Sequence, residues 1–296
     1  MNNLRGGILM VLAMLGFAIE DMFIKLLAGS LSVGAILIFL GLGGALMFGA
    51  LSLRRGDRLL SGDLLHPMVL LRNACEVLGT AGFVTAIALT PISSASAILQ
   101  AIPLFVTAGA ALFLGETVGW RRWVAILVGF SGVLLIIRPG MDDFQPASLF
   151  ALQAAVFLAG RDLATRGVPA TVSSMQLSTY AFAVIVPTGM IVLALTDQTL
   201  SVPHGSAIAL VALTVITGVI AYYTIVAATR IGDVSYVSPF RYSRLIFALV
   251  IGTLVFGERP DIWVLTGSAI VVGSGLYTLL REAQRRRTFL RQPPLV

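Results

Sequence analysis

Charge is what this sequence has least of. Of its 296 residues only 11% are Asp, Glu, Lys or Arg, whereas 57% are hydrophobic and the mean hydropathy is +0.96. Soluble domains carry about 25% charged residues, so a soluble fold is excluded. Lysine is nearly absent too: Lys25 stands alone, and the other basic residues are arginines set mostly in short breaks between apolar runs. The net charge of +6 is therefore a membrane-topology signal rather than a nucleic-acid footprint. A single cysteine, Cys75, rules out an intrachain disulfide. The two histidines, His66 and His204, lie in connections far apart, leaving no material for a metal cluster or a histidine-based triad. No G-x-x-x-x-G-K-[ST] motif is present, so no ATP site is expected. No cofactor, metal or catalytic residue is expected either.

What is present is apolar length. Runs of about 20 residues, each long enough to cross a bilayer, predict ten helices. They cover 6–28, 32–53, 66–90, 94–114, 120–138, 147–166, 173–196, 206–228, 234–256 and 261–281. Arg5, the run after it and "GFA" at 16–18 imitate a secretory signal, but the run continues through Glu20 and Asp21 and has a later counterpart. It is read as the first span. With the N-terminus in the cytoplasm, the inner connections hold thirteen arginines and the outer ones only Arg138 and Arg259. This bias orients both termini inward, toward the cytoplasm. The tail "REAQRRRTFLR" is its anchor.

The chain also repeats itself. "LFLGETVGW" around Glu116 recurs as "LVFGERPDIW" around Glu258, at an offset of 258 − 116 = 142. Independently, "EDMFIK" at 20–25 aligns with "RDLATR" at 161–166, Asp21 matching Asp162 at an offset of 162 − 21 = 141. Five spans per copy is an odd number, so the second copy enters the membrane upside down. The expected units are 1–141 and 142–283, each of five helices, with a basic tail at 284–296. Inverted repeats of this kind hold substrate near the bilayer midplane, where the halves meet.

The Gly-Glu pairs closing the fourth and ninth spans, Ala125 and Gly132 after the first, and Gly267 after the second resemble the EamA type of the drug/metabolite transporter superfamily. The D-x-x-x-K pattern of span one, "RDLATR" and "SPFRYSRLIFALVIGTLVFGERP" are similar to bacterial inner-membrane members. That resemblance implies an all-α membrane protein of ten helices in two inverted repeats, and a transporter; exporters of amino acids, some aromatic, are among its members. Leu245 departs from the pattern, standing where the repeat alignment opposite Pro103 would put proline.

Charges inside spans mark the site, because each costs roughly 2.5–3.5 kcal/mol at a helix centre on insertion scales. Asp21 and Lys25 are four apart and can neutralise one another, as can Asp162 and Arg166, leaving Glu20 about 100° away without a local partner. Lys25, Arg161, Asp162 and Arg166 are read as structural charge pairs. Arg72 and Glu76, also four apart, have no charged counterparts in the second copy, which favours a substrate or gating role. Pro239 loosens span nine beside Tyr236, Arg241, Tyr242 and Arg244. Gln100 adds a neutral polar group three residues before Pro103, and Pro187 is a further bending point. Phe17, Phe23, Tyr222 and Tyr223 offer an apolar wall. Glu116 and Glu258 sit just ahead of spans five and ten, where a carboxylate caps a helix N-terminus.

The substrate-binding set is therefore Glu20, Asp21, Arg72, Glu76, Gln100, Tyr223, Tyr236, Arg241, Tyr242 and Arg244. Glu20 is expected to hold an ammonium group, and Arg72, Arg241 or Arg244 a carboxylate. The expected activity is secondary transport of a small metabolite, foremost an amino acid in the export direction, by alternating access. Efflux of hydrophobic cations is the alternative, followed by a membrane-embedded enzyme. Transport is facilitative or driven by an ion or proton gradient, and the oligomeric state stays open.

Overall fold

A computed structural model describes residues 2–59, 62–232 and 234–290. Every regular element among them is helical: α1 (Asn3–Leu27), α2 (Val33–Arg54), α3 (Pro67–Leu89), α4 (Ile92–Leu99), α5 (Ile102–Phe113), α6 (Trp120–Ile137), α7 (Ser148–Thr165), α8 (Ser174–Leu195), α9 (Ser206–Ile231), α10 (Val234–Val237), α11 (Ser243–Phe256) and α12 (Ile262–Leu290), with short 3-10 turns at Gly62–Leu65 and Ser238–Tyr242. The last helix continues past the expected end of the tenth span, from 281 to 290. Within the expected basic tail, residues 291–296 lie outside the described residues.

Two expected spans are interrupted. The fourth is α4 and α5, which part at Gln100 and Ala101 because Pro103 lacks an N–H and its ring collides with the carbonyl of the preceding turn. The ninth is α10, the 3-10 turn containing Pro239, and α11. Tyr242, at the end of that turn, stands to Gln100 as Glu258 stands to Glu116, so both breaks fall at one position of the repeat. Leu245 in place of proline does not spare the ninth span its break, since Pro239 supplies it from earlier in the chain. Pro187, by contrast, lies inside α8 without interrupting it.

Both Gly-Glu pairs close helices in the same way. Gly115 and Gly257 take left-handed φ values of +67° and +64°, and the next residue's N–H reaches back six positions, Glu116 to Ala110 O at 3.1 Å and Glu258 to Gly252 O at 2.9 Å. Only glycine adopts that conformation without strain, which explains why the motif appears twice.

The helices pair across the halves. α1 packs on α9 and α3 on α7; α2 packs on α8, α6 on α12, and α4 on α11. Two pairs approach backbone to backbone through facing glycines, Gly34 with Gly189 and Gly132 with Gly267. Among the described residues eight helical stretches are long and apolar enough to cross a membrane, counting 92–113 and 238–256 as one each. α3 and α7 are not among them, and they carry Arg72, Asn73 and Glu76, and Arg161 and Asp162.

The chain connections gather at two ends. At one end Asp57 accepts hydrogen bonds from Ser173 Oγ (2.6 Å) and Ser52 Oγ (2.8 Å), and Arg166 meets Glu116. At the other, Lys25 meets Glu258, and Arg138 bridges Asp143 and Asp261. The Ser173 and Ser52 hydroxyls hold the Asp57 carboxyl below the usual carboxylate range. A depressed pKa contributes stability above the unfolded-state pKa, lost as pH falls through the folded value. Asp57→Asn is therefore expected to lower the melting temperature at neutral pH by the equivalent of no more than about 1 kcal/mol, since water screens this partly exposed carboxylate. In acid the two proteins should melt together, which thermal unfolding in detergent at both pH values reads.

Candidate functional site

Between the halves lies a cavity of about 500 Å³, within the roughly 300–1,000 Å³ usual for metabolite-sized ligands. Its wall reaches from Ile24, Val84 and Leu99 to Glu116, Arg166 and Ala283 at the Asp57 end of the molecule. Charged side chains from α1, α3, α7 and the break before α11 converge on it, as polar groups in a membrane protein must turn from lipid.

Two of the expected pairings are replaced by others. Asp21 does not pair with Lys25 but with Arg244 of the other half, in a bidentate contact of 2.8 Å from Nη2 and 3.1 Å from Nε. The Arg244 guanidinium also lies between the rings of Phe17 and Phe83, 5.2 and 5.1 Å from their centroids. A rigid planar fork satisfies a carboxylate and two ring faces at once, which the mobile Lys25 amine cannot. Lys25 turns instead to Thr90 O (2.6 Å), Ile87 O (3.2 Å) and Glu258 (3.7 Å). Likewise Asp162 pairs with its neighbour Arg161 at 2.7 Å, and Arg166 with Glu116 at 2.7 Å. Arg72 and Glu76 do meet, at 3.4 Å, and Glu76 is shared with Arg161 at 3.4 Å.

After this accounting, two charged residues of the wall make no hydrogen bond or ion pair through their side chains among the described residues: Glu20 and Arg241. Glu20 is 9% exposed and rests against Gly218 of α9, where any Cβ would strike its carboxylate. Arg241, on the 3-10 turn, is exposed within the cavity wall. Its carbonyl accepts a long 3.4 Å bond from Gln100 Nε2 across the two broken helices.

Eight of the ten expected substrate residues line the cavity: Glu20, Asp21, Arg72, Glu76, Gln100, Arg241, Tyr242 and Arg244. Tyr223 and Tyr236 do not; they are 48% and 42% exposed, and Tyr236 packs on Phe240. The neighbouring Tyr222 lines the wall instead, edge-on to Phe48 at 5.2 Å, because successive helical residues point about 100° apart. Arg161, Asp162 and Arg166, expected to be structural, line it as well. Glu116 and Glu258 do not cap the helices that follow them. Glu116 lies on the cavity rim, α6 lacks a side-chain cap bond, and Val264 N at the start of α12 is bonded by Asp261.

The chain is 35% identical to the riboflavin transporter of Vibrio cholerae over 74% of its length and 73% of that protein. It is 26% identical to the S-adenosylmethionine uptake transporter of Rickettsia felis over 72% and 71%. It is 27% identical to the pseudopaline exporter of Pseudomonas aeruginosa over 91% and 94%. A solved crystal structure, 19% identical, superposes with a TM-score of 0.58 over 95% of this chain and 99% of the other, and so shares the fold. The model of the EamA-like transporter family matches twice, at residues 4–138 and 145–280. With nearly the whole chain covered by two copies of that unit, this multi-pass membrane protein is a transporter and not an enzyme, and it belongs to the EamA-like transporter family.

Proposed function

We propose that the chain is a secondary transporter of a metabolite that carries both a cationic and an anionic group on an apolar body, the amino acids and their ring-bearing derivatives being the chemical class. The observation that carries this reading is a pair of side chains on the wall of one cavity, the acid Glu20 and the base Arg241, that make no hydrogen bond or ion pair among the described residues. Each is costly in a membrane interior unless a ligand completes it. Phe17, Phe83, Phe182 and Tyr222 supply the apolar remainder of the wall. S-adenosylmethionine, the solute named for one relative, combines an amino-acid head with a heteroaromatic ring and so fits the class.

On this reading the units 1–141 and 142–283 are inverted copies spanning a bacterial inner membrane ten times, both termini in the cytoplasm, and they expose the cavity to alternate faces, with export the direction. The cross-pairing supports a two-fold relation between the copies, since an axis exchanging them turns the α1 and α9 contact into the α7 and α3 contact; five spans per copy make that relation an inverted one. The drive is a facilitative gradient or a coupled ion or proton.

A second reading is favoured by the riboflavin transporters among the relatives: a neutral planar ring system held by the aromatic wall. Uptake into proteoliposomes separates the two. With labelled aromatic amino acids, S-adenosylmethionine, riboflavin and a hydrophobic cation as the panel, Glu20→Gln and Arg241→Gln are each expected to cut uptake of the zwitterions about tenfold or more, since a hydrogen bond to a charged group contributes about 1.5–3 kcal/mol. Riboflavin moved equally by all three proteins would replace the first reading with the second. A cation whose movement needs Glu20 but not Arg241 would instead indicate drug efflux.

A further inference from the structure

Two ion pairs at the ends of the passage occupy equivalent positions in the repeats. Lys25 aligns with Arg166 when "EDMFIK" is laid on "RDLATR", and Glu116 aligns with Glu258 through the Gly-Glu motif. Each basic residue comes from the first helix of one copy or the turn that ends it, and meets the Gly-Glu carboxylate of the other. Their surroundings differ sharply.

Glu258 sits on the N-terminus of α4, a helix of the opposite half. It accepts bonds from Ile92 N (2.7 Å), Ser93 N (3.1 Å) and Ser93 Oγ (2.7 Å), where the exposed N–H groups and helix dipole favour a carboxylate. Lys25 joins the same knot and holds the last carbonyls around the end of α3. Gly252 leaves the room, since a Cβ there would lie 2.6 Å from Glu258 Oε2. α1, α3, α4 and the connection from α11 to α12 are thus tied at one point. Beyond that point lies a second, smaller hollow of about 230 Å³, lined by Glu258, Ser93, Ser94, Arg138 and Asp261, which shares no wall residue with the main cavity.

At the other end, the 2.7 Å Glu116–Arg166 pair is open: its side chains are 44% and 45% exposed against 10% and 18% for Glu258 and Lys25. Among the described residues Glu116 takes no backbone N–H from the opposite half, and both partners lie on the rim of the cavity.

We infer that Glu258 and Glu116 are positioning residues for transport, each clamping one mouth of the passage against the opposite half, and that the structure captures the passage with the Glu258 clamp closed on the N-terminus of α4 and the Glu116 mouth open, its carboxylate held among the described residues by the exposed Arg166 alone. Neither carboxylate need touch the solute. Breaking the Glu258 clamp would join the two hollows into a path from the main cavity past Ser93. The inference rests on the transport reading, but it does not depend on which solute moves.

The test is side-specific labelling. In a Cys75→Ser chain, Val106→Cys places one thiol on the cavity wall, and a membrane-impermeant maleimide is added to one face of right-side-out or inside-out vesicles. The thiol is expected to react mainly from the Arg166 face. Glu258→Gln and Lys25→Met should each raise labelling from the Lys25 face several-fold and lower it from the other, whereas Glu116→Gln should move the ratio the opposite way. If Glu258→Gln does not yield a monodisperse protein, Ser93→Ala, which removes one of the three bonds, should shift the ratio in the same direction by less. A ratio unchanged in every folded variant, or shifted the same way by both glutamates, overturns the inference. The ratio is read whether or not any solute of the panel moves, so failure of the substrate reading stays distinguishable.

Discussion

Arg244→Ala is expected to lower the stability of the protein by about 3 kcal/mol and to abolish transport. The substitution leaves Asp21, 2% exposed, as an uncompensated buried charge, the circumstance in which breaking a pair costs about 3–5 kcal/mol. The lower end applies because the Arg244 side chain keeps 18% of its surface open to the cavity. It also removes the cation from between Phe17 and Phe83, so α1, α3 and α11 lose their shared contact. Arg244→Lys should recover little, since an ammonium group cannot make the bidentate contact and the ring stack together. Asp21→Leu with Arg244→Met removes both charges; it should recover most of the stability, because apolar replacement of a buried pair is often neutral, without recovering transport. Thermal unfolding in detergent and uptake in liposomes, measured on the same four proteins, separate these effects. A melting temperature unmoved by Arg244→Ala would mean that cavity water solvates Asp21, and the ion pair would lose its structural role.

Gly132→Val is expected to prevent α6 from docking on α12, at a cost of about 3 kcal/mol, the upper end of the usual overpacking range. A Cβ on Gly132 would stand 2.8 Å from the carbonyl oxygen of Gly267, and one on Gly267 would stand 2.6 Å from that of Gly132. The obstacle is backbone on both sides, so no rotamer change relieves it, and small residues at such crossings are what lets membrane helices associate. Gly267→Val should match it. Gly273, on the same helix with nothing within 4 Å of its missing Cβ, is the control: Gly273→Ala should be neutral or slightly stabilising. The yield of monodisperse protein after detergent extraction reads all three. Equal yields for Gly132→Val and Gly273→Ala would show that the helices can separate at that crossing without loss.

The family and the twofold repetition were legible because apolar length and the Gly-Glu helix endings are local properties, written in contiguous residues. The partners of the charges were not. Spacing of four suggested Asp21 with Lys25 and Asp162 with Arg166, but a local helical ion pair contributes only about 0.3–0.5 kcal/mol. A long-range bidentate contact in a low-dielectric interior outweighs it, and Arg244 lies in the other half of the chain from Asp21. Glu258 misled for a similar reason: the helix it caps belongs to the other half too. Tyr223 was preferred over Tyr222 because α9 is apolar on nearly all sides and offers no polar face to set its rotation. One signal was available: Gly218, four residues before Tyr222, marks the face on which Glu20 needs room.

The polarity of α3 and α7 bears on how the molecule is made. With Arg72 and Glu76 in one and Arg161 and Asp162 in the other, neither helix on its own is a comfortable guest in hydrocarbon. They are each other's packing partners, yet α4, α5 and α6 must all leave the ribosome between them. The N-terminal portion thus emerges with the polar face of α3 uncovered, and its insertion is completed only when the later portion is threaded in beside it.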